Sequence, residues 1–482
     1  MIPLSHNTAL KIKDDLIYID PQLLFQRLIT AGTRNDNLVE VFQYERCSYP
    51  SALFENRTTP RLATKSALAD ALWKLMSPDV PPPTGDVQYI LDGGALLHRV
   101  SWNRGTTYDD ICQAYTRYVT SHYGRAVVIF DGYPEGPSTK DVTHRRRGQT
   151  RIGTTTVHVS GSMLFQGRRD DFLTNTINKQ KFIHLLADHL SHSGCYVEHA
   201  NADADLLIVQ NAIAAANKNP IKPTVLVADD TDILILLCWH VNPSTPCIYF
   251  RPEPRQHAKR APRCWNMAVM KTVLGPEVCN CMLFVHAILG CDTTSSLYGI
   301  GKKIGLKLIS TNKLFIEQAL MFSEQSKTRA DIVAAGERAL VQIYKGLPDD
   351  TLNVLRFQRF HQKVGSITSP VQPEVLPPTS AAAAYHSQRV YLQVQEWMGK
   401  AADMSPEDWG WYKQGDKLLP ILTDKEPAPT SLLEVVRCNC KSGCSTRQCT
   451  CRKNGLECST GCGHCRGVCT NMSQIEDDDV DE

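Results

Sequence analysis

Three short, mostly apolar runs in the first half of the chain each end in an aspartate. The runs and the aspartates that follow them are residues 87–91 with Asp92, residues 126–130 with Asp131, and residues 224–228 with Asp229 and Asp230. Short runs of aliphatic and β-branched residues are typical of strands that are buried on both faces of a parallel sheet. Because ligands of such sheets bind beyond the carboxyl ends of the strands, we expect these carboxylates to meet at one edge.

Further carboxylates lie at the ends of other apolar segments. Asp203 and Asp205 precede the helical pattern LLIVQNAIAAA, where the positive end of the helix dipole favours an anion. Asp232 completes the motif VADDTD, and Asp292 closes the motif LGCD. An ionised carboxylate beside apolar neighbours must be paired or bound to metal. Any one of these aspartates alone can be a helix cap, but the whole set favours a site for Mg²⁺ or Mn²⁺, which prefer oxygen ligands.

In chain order, these motifs resemble the flap endonuclease and XPG group of the 5′-nuclease superfamily, whose core is a PIN-like α/β domain. In that group, an Asp at a strand end is followed along the chain by the motif FDG and then by a Lys and an Arg. A helix that starts with two acidic residues one residue apart comes next, then the motif D-x-D, and finally the motif G-x-D followed by G-I-G. The matching positions, in the same order, are Asp92, Asp131, Lys140, Arg147, Asp203, Asp205, Asp230, Asp232, Asp292 and Gly299-Ile300-Gly301. The resemblance covers residues 87–309, less than half of the chain.

The resemblance implies an α/β fold in which a parallel sheet is flanked by helices and carries a helix-hairpin element. It implies a structure-selective nuclease whose seven matching aspartates hold two Mg²⁺ or Mn²⁺ ions. Two ions about 4 Å apart can stabilise both the attacking and the leaving oxygen of a phosphate ester. Lys140 and Arg147 are then the expected catalytic residues at the scissile phosphate.

Departures from the family pattern leave a second function open. Asp203 and Asp205 replace two Glu of the family, which shortens their reach, and Lys302 stands where the family has Pro after G-I-G. Residues 148–176 alternate β-branched and polar side chains, which predicts a hairpin or loop where the family often has a helical arch. The alternative is a catalytically weak or inactive nuclease-like protein that binds DNA or acts as a scaffold.

Basic residues suggest where nucleic acid binds. Gly299 and Gly301 open the run KKIGLKLI, and the amides of a helix start can hold a phosphate oxygen without recognising a base. Lys302 and Lys303 add positive charge, so we expect all four residues to contact the backbone of DNA, with RNA as the alternative. The run HRRR at residues 144–147 fits the scissile phosphate, a solvated helix face or a localisation patch.

Nine of the eighteen cysteines fall in one short C-terminal segment with the spacing C-x-C-x3-C-x4-C-x-C-x6-C-x3-C-x2-C-x3-C. An odd number cannot all pair as internal disulfides, and this density in an intracellular protein is typical of zinc coordination. Nine thiolates satisfy three tetrahedral Zn²⁺ ions if three of them bridge. The predicted ligands are Cys438, Cys440, Cys444, Cys449, Cys451, Cys458, Cys462, Cys465 and Cys469.

This segment is similar to the CXC (tesmin/TSO1-like) domain, a DNA-binding module with a three-zinc, nine-cysteine cluster. It differs in one shortened gap, in Gln448 at a position that is usually aromatic, and in its single copy. Six Lys or Arg and one Glu, together with nine thiolates and three Zn²⁺ ions, leave a net charge of about +2. A structural zinc knot or a protein-binding module is the alternative to DNA binding. The basic residues expected to face DNA are Arg437, Lys441, Arg447, Arg452 and Lys453.

Composition and linkers predict the organisation of the 482 residues, whose net charge is +2. The sequence has no signal pattern and no apolar run of about eighteen residues, so we expect no membrane span and a location in the nucleus or, alternatively, the cytoplasm. The predicted parts are a helical N-terminal region (1–80), the nuclease domain (86–344), a helical region with a Pro-rich linker (345–435), the zinc domain (436–471) and an acidic tail (472–482).

Overall fold

The architecture is that of a computed structural model, in which most of the chain is described. The described residues are 8–12 and 15–19 (backbone only), 26–27, 40–76, 83–132, 136–140, 155–242, 244–253, 263–366, 369–415, 417–429, 437–441, 443–453, 456–458 and 462–471. Arg147, the rest of the HRRR run and the acidic tail lie outside them.

Ten strands form one large sheet and two small antiparallel pairs. They are β1 (Thr8–Ile12), β2 (Asp15–Ile19), β3 (Gln88–Asp92), β4 (Val127–Phe130), β5 (Tyr196–His199), β6 (Thr224–Val227), β7 (Ile248–Arg251), β8 (Trp265–Asn266), β9 (Trp411–Gln414) and β10 (Lys417–Pro420). The large sheet has the order β5-β4-β3-β6-β7-β8, and every pair in it is parallel except β7 with β8. The order reverses at β3, which is where a doubly wound sheet offers a crevice.

Helices cover both faces of this sheet and continue beyond it. They are α1 (Ser66–Leu75), α2 (Gly93–Leu96), α3 (Tyr108–Tyr123), α4 (Arg169–Thr174), α5 (Thr176–His192), α6 (Asp205–Lys218), α7 (Thr231–His240), α8 (Met267–Leu274), α9 (Pro276–Ile288), α10 (Lys303–Thr311), α11 (Lys313–Met321), α12 (Arg329–Ile343), α13 (Leu352–Ser366), α14 (Ser380–Trp397) and α15 (Thr450–Lys453). The predicted fold class, a parallel sheet flanked by helices with a C-terminal cysteine-rich segment, is confirmed.

Two hydrophobic clusters lie against the sheet, one on each face. The smaller one joins α3 and α5 to the sheet through aromatic residues such as Tyr115 and Phe182. The larger one contains Leu68 and Leu72 of α1, most of α7 and α9, and Val390 and Val394 of α14. Helix α1, before residue 80, and helices α13 and α14, after residue 345, therefore share one core with the predicted nuclease domain.

Local structure departs from the sequence expectation near the N-terminus. Residues 8–12 and 15–19 pair as the antiparallel strands β1 and β2 inside a region predicted to be helical; the TALKI and DLIYI patterns are short enough for strands. Helix α14 lies in the region predicted to be helical with a Pro-rich linker (345–435). It begins at Ser380, where Thr379 accepts a hydrogen bond from the Ala382 amide and the run SAAAA has high helix propensity.

The structure describes the loop predicted at residues 148–176 from residue 155 onward. Residues 155–168 lack regular structure, as predicted for a loop, but α4 and α5 then occupy residues that the alternating pattern assigned to the same loop. Within the described part of the chain, no single helix is long and apolar enough to span a membrane. Helices α8 and α9 meet that test only as a pair, bent by 99°.

Candidate metal and nucleic-acid site

The ends of β3 and β4 place the first two predicted ligands side by side. Asp92 caps α2, with Oδ1 accepting hydrogen bonds from the amides of Gly94 (2.8 Å) and Ala95 (3.2 Å). Asp131 follows β4 directly, and a Cβ atom added to Gly94 would lie 3.1 Å from Asp92 Oδ1 and 3.4 Å from Asp131 Oδ2. The two carboxylates therefore lie on either side of a glycine, and a larger residue would crowd them.

The start of α6 adds the second pair of aspartates. Asp131 Oδ1 accepts a hydrogen bond from the Ala204 amide (3.2 Å), which ties the strand end to the turn between Asp203 and Asp205. Nζ of Lys140 lies 2.6 Å from Oδ1 of Asp203. Burial opposes the charge of Lys140, but Asp205 and Asp203 outweigh it and raise the pKa of the ammonium above its ordinary value.

The third pair follows β6. Asp230 caps α7 by accepting a hydrogen bond from the Asp232 amide (2.9 Å), and Asp232 is buried in the first turn. One carboxylate oxygen from each of Asp205, Asp230 and Asp232 lies within 4.8 Å of the other two. Their neighbour Asp229 points elsewhere, since it pairs with Arg99 and accepts from the Glu253 amide. The structure thus brings Asp230 and Asp232, but not Asp229, to a common position.

A lysine from the N-terminal region completes this group. Nζ of Lys65 lies 2.8 Å from Asp232 Oδ2, 2.9 Å from Asp292 Oδ1 and 3.7 Å from the nearer oxygen of Asp230. Burial opposes its charge, but the three carboxylates more than compensate and raise the pKa of Lys65. The sequence predicted a helical N-terminal region but assigned no chemistry to Lys65, because no local motif marks a residue that reaches the site by tertiary packing.

Behind Asp232 lies a buried chain of polar groups. His286 of α9 is 0 % exposed, and its Nε2 lies 2.7 Å from Asp232 Oδ1. Nζ of Lys302 lies 3.0 Å from His286 Nδ1 and also donates to the carbonyls of His286 (2.7 Å) and Gly290. Burial lowers the pKa of His286 to about 4 and that of Lys302 to about 8. Since an ammonium only donates, Nδ1 accepts and the proton of the neutral ring lies on Nε2, facing Asp232.

This geometry corrects the expectation for Lys302. Its side chain is 2 % exposed and is directed into the protein, so it does not face a nucleic-acid backbone. By contrast, Gly299, Gly301 and Lys303 are exposed. Gly299, Gly301 and Leu62 line the same cavity of about 350 Å³, which lies beside the segment that carries Lys65.

The electrostatics of the aspartates fit a cation site. The seven carboxylates, offset by Lys65 and Lys140, leave a formal charge of −5. Burial, with help from Asp131, raises the pKa of Asp92 to about 7, and burial with Asp232 raises that of Asp230 to about 6. Hard oxygen donors at this density suit a divalent metal ion, which would relieve the repulsion between these carboxylates.

Glu396 is a further acidic residue that sequence patterns missed. It lies on α14, where burial raises its pKa to about 7 and the charges of Lys140 and Asp203 act on it. The following residue, Trp397, stacks on His286 with ring centroids 5.5 Å apart. The end of α14 thus closes the side of the site where Lys140 lies, although the sequence placed it in a separate region.

The nine C-terminal cysteines form one cluster. No disulfide joins any of the eighteen cysteines, all of which lie in the described part of the chain, and Sγ of Cys438 lies 3.7 Å from that of Cys444 and 3.8 Å from those of Cys458 and Cys465. Around a tetrahedral Zn²⁺ with Zn–S bonds of about 2.3 Å, sulfur atoms are about 3.8 Å apart. Four overlapping groups of four cysteines are placed to hold a metal, and Cys438 belongs to three of them. The cluster therefore suits metal ions that share thiolates.

The basic residues around this cluster differ in accessibility. Arg437, Lys441, Arg447 and Lys453 are exposed. Arg452 is half-buried and donates to the carbonyls of Cys444 (2.8 Å) and Thr470 (2.9 Å), so its guanidinium also links two segments of the cluster. Its role as a DNA contact stays a prediction.

Comparisons with solved structures find similar folds at low identity. The catalytic core of Rad2 in complex with DNA substrate is 14 % identical, with 70 % of this chain and 98 % of that chain covered and a TM-score of 0.33. The T5 D15 protein co-crystallised with metal ions is 15 % identical (65 % and 99 % covered, TM-score 0.32). Human GEN1 in complex with Holliday junction DNA is 13 % identical (74 % and 85 % covered, TM-score 0.30). No family model and no curated protein matches the chain. Because these TM-scores are low, the likeness supports no argument about function. Such an argument has to come from the site residues.

Proposed function

We propose that this protein is a divalent-metal-dependent nuclease that hydrolyses phosphodiester bonds of DNA in a structure-selective way. The observation that supports it best is the convergence of seven aspartates from five separate places in the chain, which are the ends of β3, β4 and β6, the start of α6 and the loop after α9. Two lysines lie in the same site, Lys140 at Asp203 and Lys65 at Asp232. A fold kept only for its shape would not need so many closely spaced like charges at one place.

The reaction would be a hydrolysis at phosphorus. The oxygen of a water molecule bonds to phosphorus, the bond from phosphorus to one sugar oxygen breaks, and the proton from water ends on that leaving oxygen. Divalent metal held by Asp205, Asp230 and Asp232, with the carboxylates of Asp92 and Asp131 nearby, would supply electrostatic stabilisation and a more acidic bound water. Lys140 is a charged donor that can leave Asp203 to hold a phosphate oxygen.

DNA binding would use the exposed parts of the same region. Gly299 and Gly301 precede α10, and Lys303 is its first residue, so amides and an ammonium are available to phosphate oxygens. Such contacts are independent of base sequence, which suits an enzyme that recognises the shape of its substrate.

The test is a cleavage assay with labelled single-stranded, flap and duplex DNA in Mg²⁺, Mn²⁺ or EDTA. Cleavage should require the metal, and Asp230→Asn should reduce it by roughly 10²–10³-fold while DNA binding persists. Equal cleavage by the wild type and Asp230→Asn would trace the activity to a contaminant and refute the assignment.

The C-terminal cluster is proposed to hold three Zn²⁺ ions and to tether the nuclease to DNA, as its resemblance to CXC domains suggests. The sulfur spacing and the exposure of Arg437, Lys441, Arg447 and Lys453 support this role. A nuclear location accords with such a tether.

A second candidate is a DNA-binding protein without turnover. The observation that favours it is the pairing of Asp203 with Lys140 at 2.6 Å, because a short side chain engaged by an ammonium reaches less far toward a metal. Metal-dependent cleavage that is lost in Asp230→Asn would exclude this candidate.

A further inference from the structure

Lys65 is held in the site from two directions. The segment before it is fixed to the loop that follows Asp292, since the Ser296 amide donates to the Arg61 carbonyl (2.8 Å) and Ser296 Oγ donates to the Leu62 carbonyl (2.9 Å). Helix α1 follows it and packs into the main core through Leu68. The backbone of Lys65 is therefore positioned by rigid structure on both sides.

The ammonium of Lys65 lies where a metal ion would otherwise share the same oxygens. It is within 4.0 Å of carboxylate oxygens of Asp230, Asp232 and Asp292, and its side chain is only 18 % exposed. Both oxygens of Asp232 are already engaged, Oδ2 by Lys65 and Oδ1 by His286. A metal ion at this position would have to displace the ammonium from two charged contacts shorter than 3.0 Å.

A second position for a cation lies next to the one that the Lys65 ammonium occupies. One carboxylate oxygen from each of Asp205, Asp230 and Asp232 lies within 4.8 Å of the other two, and the ion pairs of Lys65 reach two of these three residues, Asp230 and Asp232. Asp205, Asp230, Asp232 and Asp292 together with Lys65 carry a formal charge of −3, of which one divalent ion balances two. The charge and the geometry of this side of the site thus accommodate one ion beside the lysine.

We propose that Lys65 is a built-in cation that fills one of the two cation positions expected from the sequence, so that a single divalent ion binds at Asp205, Asp230 and Asp232. This inference rests on the proposed nuclease function and specifies its metal content. A lysine is a compact positive charge that no chelator removes. Lys65 is thus a positioning residue that holds Asp232 and Asp292 in place around the remaining ion.

The test counts Mn²⁺ bound to the zinc-loaded full chain by electron paramagnetic resonance. The wild type should bind one ion at this site, Lys65→Met should bind two, and Lys65→Arg, which keeps the charge, should bind one. Asp230→Asn should lose the ions in every background. Thermal melting establishes that each variant is folded.

Other outcomes separate the two proposals. Equal counts in the wild type and Lys65→Met, with cleavage intact, would overturn the role of Lys65 and leave the nuclease assignment standing. If neither the wild type nor Lys65→Met bound Mn²⁺, both the role of Lys65 and the nuclease assignment would be overturned. Acylation of lysines read by mass spectrometry needs no variant: Lys65 should stay protected with and without Mg²⁺, and labelling that appears only after Mg²⁺ is added would show displacement and refute the inference.

Discussion

Nζ of Lys302 lies 3.0 Å from Nδ1 of His286, with both side chains buried. This contact fixes the imidazole tautomer and directs its Nε2 proton to Asp232, 2.7 Å away. A lysine next to the exposed Gly299–Gly301 turn is thereby connected to a predicted metal ligand. The connection consists of two hydrogen bonds in a region without solvent, where unpaired groups are costly.

Removal of the imidazole should weaken metal binding. His286→Ala leaves Asp232 without one of its donors, and loss of a partner behind a metal ligand typically costs 10–100-fold in metal affinity. We expect that loss in Mn²⁺ affinity measured by calorimetry, with a smaller loss in His286→Gln, whose amide can both donate and accept. A lower melting temperature with unchanged Mn²⁺ affinity would limit His286 to a structural role.

The two adjacent lysines should behave differently toward DNA. Lys303→Ala should reduce the slope of log affinity against log salt by about one, as expected for one lost phosphate contact. Lys302→Ala should leave that slope unchanged, because its ammonium is directed inward, and should instead lower the melting temperature. Fluorescence anisotropy with duplex DNA at several salt concentrations measures both slopes, and a reduced slope in Lys302→Ala would contradict the buried assignment.

The raised pKa of Asp92 predicts a pH-dependent stability. Its pKa rises from 3.8 to about 7 in the folded protein, so between these values the folded state retains a proton that the unfolded chain releases. Stability without Mg²⁺ should therefore fall as the pH rises through this window. Asp92→Asn keeps the helix cap and removes the charge, so near pH 8 it should be more stable than the wild type by on the order of 2 kcal/mol. The difference should shrink toward pH 5, and denaturant titrations without Mg²⁺ measure it. A constant difference across this range would mean that Asp92 titrates normally.

The cysteine cluster should lose zinc unequally. Cys438 belongs to three of the four candidate metal groups and Cys440 to one. We expect Cys438→Ser to lose more than one Zn²⁺ per chain and the matched change Cys440→Ser to lose at most one, with three in the wild type. Elemental analysis of the purified full chain gives these numbers. Equal losses would indicate separate ions that share no thiolate.

The sequence predicted the strand ends well because a buried strand and the carboxylate after it are local features. Asp92, Asp131 and Asp230 could be assigned from a few neighbouring residues each. Lys65 and His286 could not, since the first reaches the site through the packing of α1 and the second lies in an apolar helix where a buried histidine carries no motif. Lys302 was misassigned because a charge pattern does not show on which side of a turn the side chain points.

The shared core also limits how the chain can be divided. A fragment of residues 86–344 would keep all seven aspartates but would lack Lys65 and the α1 leucines, and it would uncover the apolar surface that α14 protects. Such a fragment should be poorly soluble. The carboxylates of Asp232 and Asp292 would also lack the positive charge of Lys65 that pairs with them. The smallest unit expected to fold with an intact site extends from about residue 40 to about residue 429, because Arg389 of α14 donates to the carbonyls of Gly410 and Ile421 and the Arg46 amide donates to that of Pro427. Chemistry that maps to half of the sequence therefore depends on structure supplied by the rest.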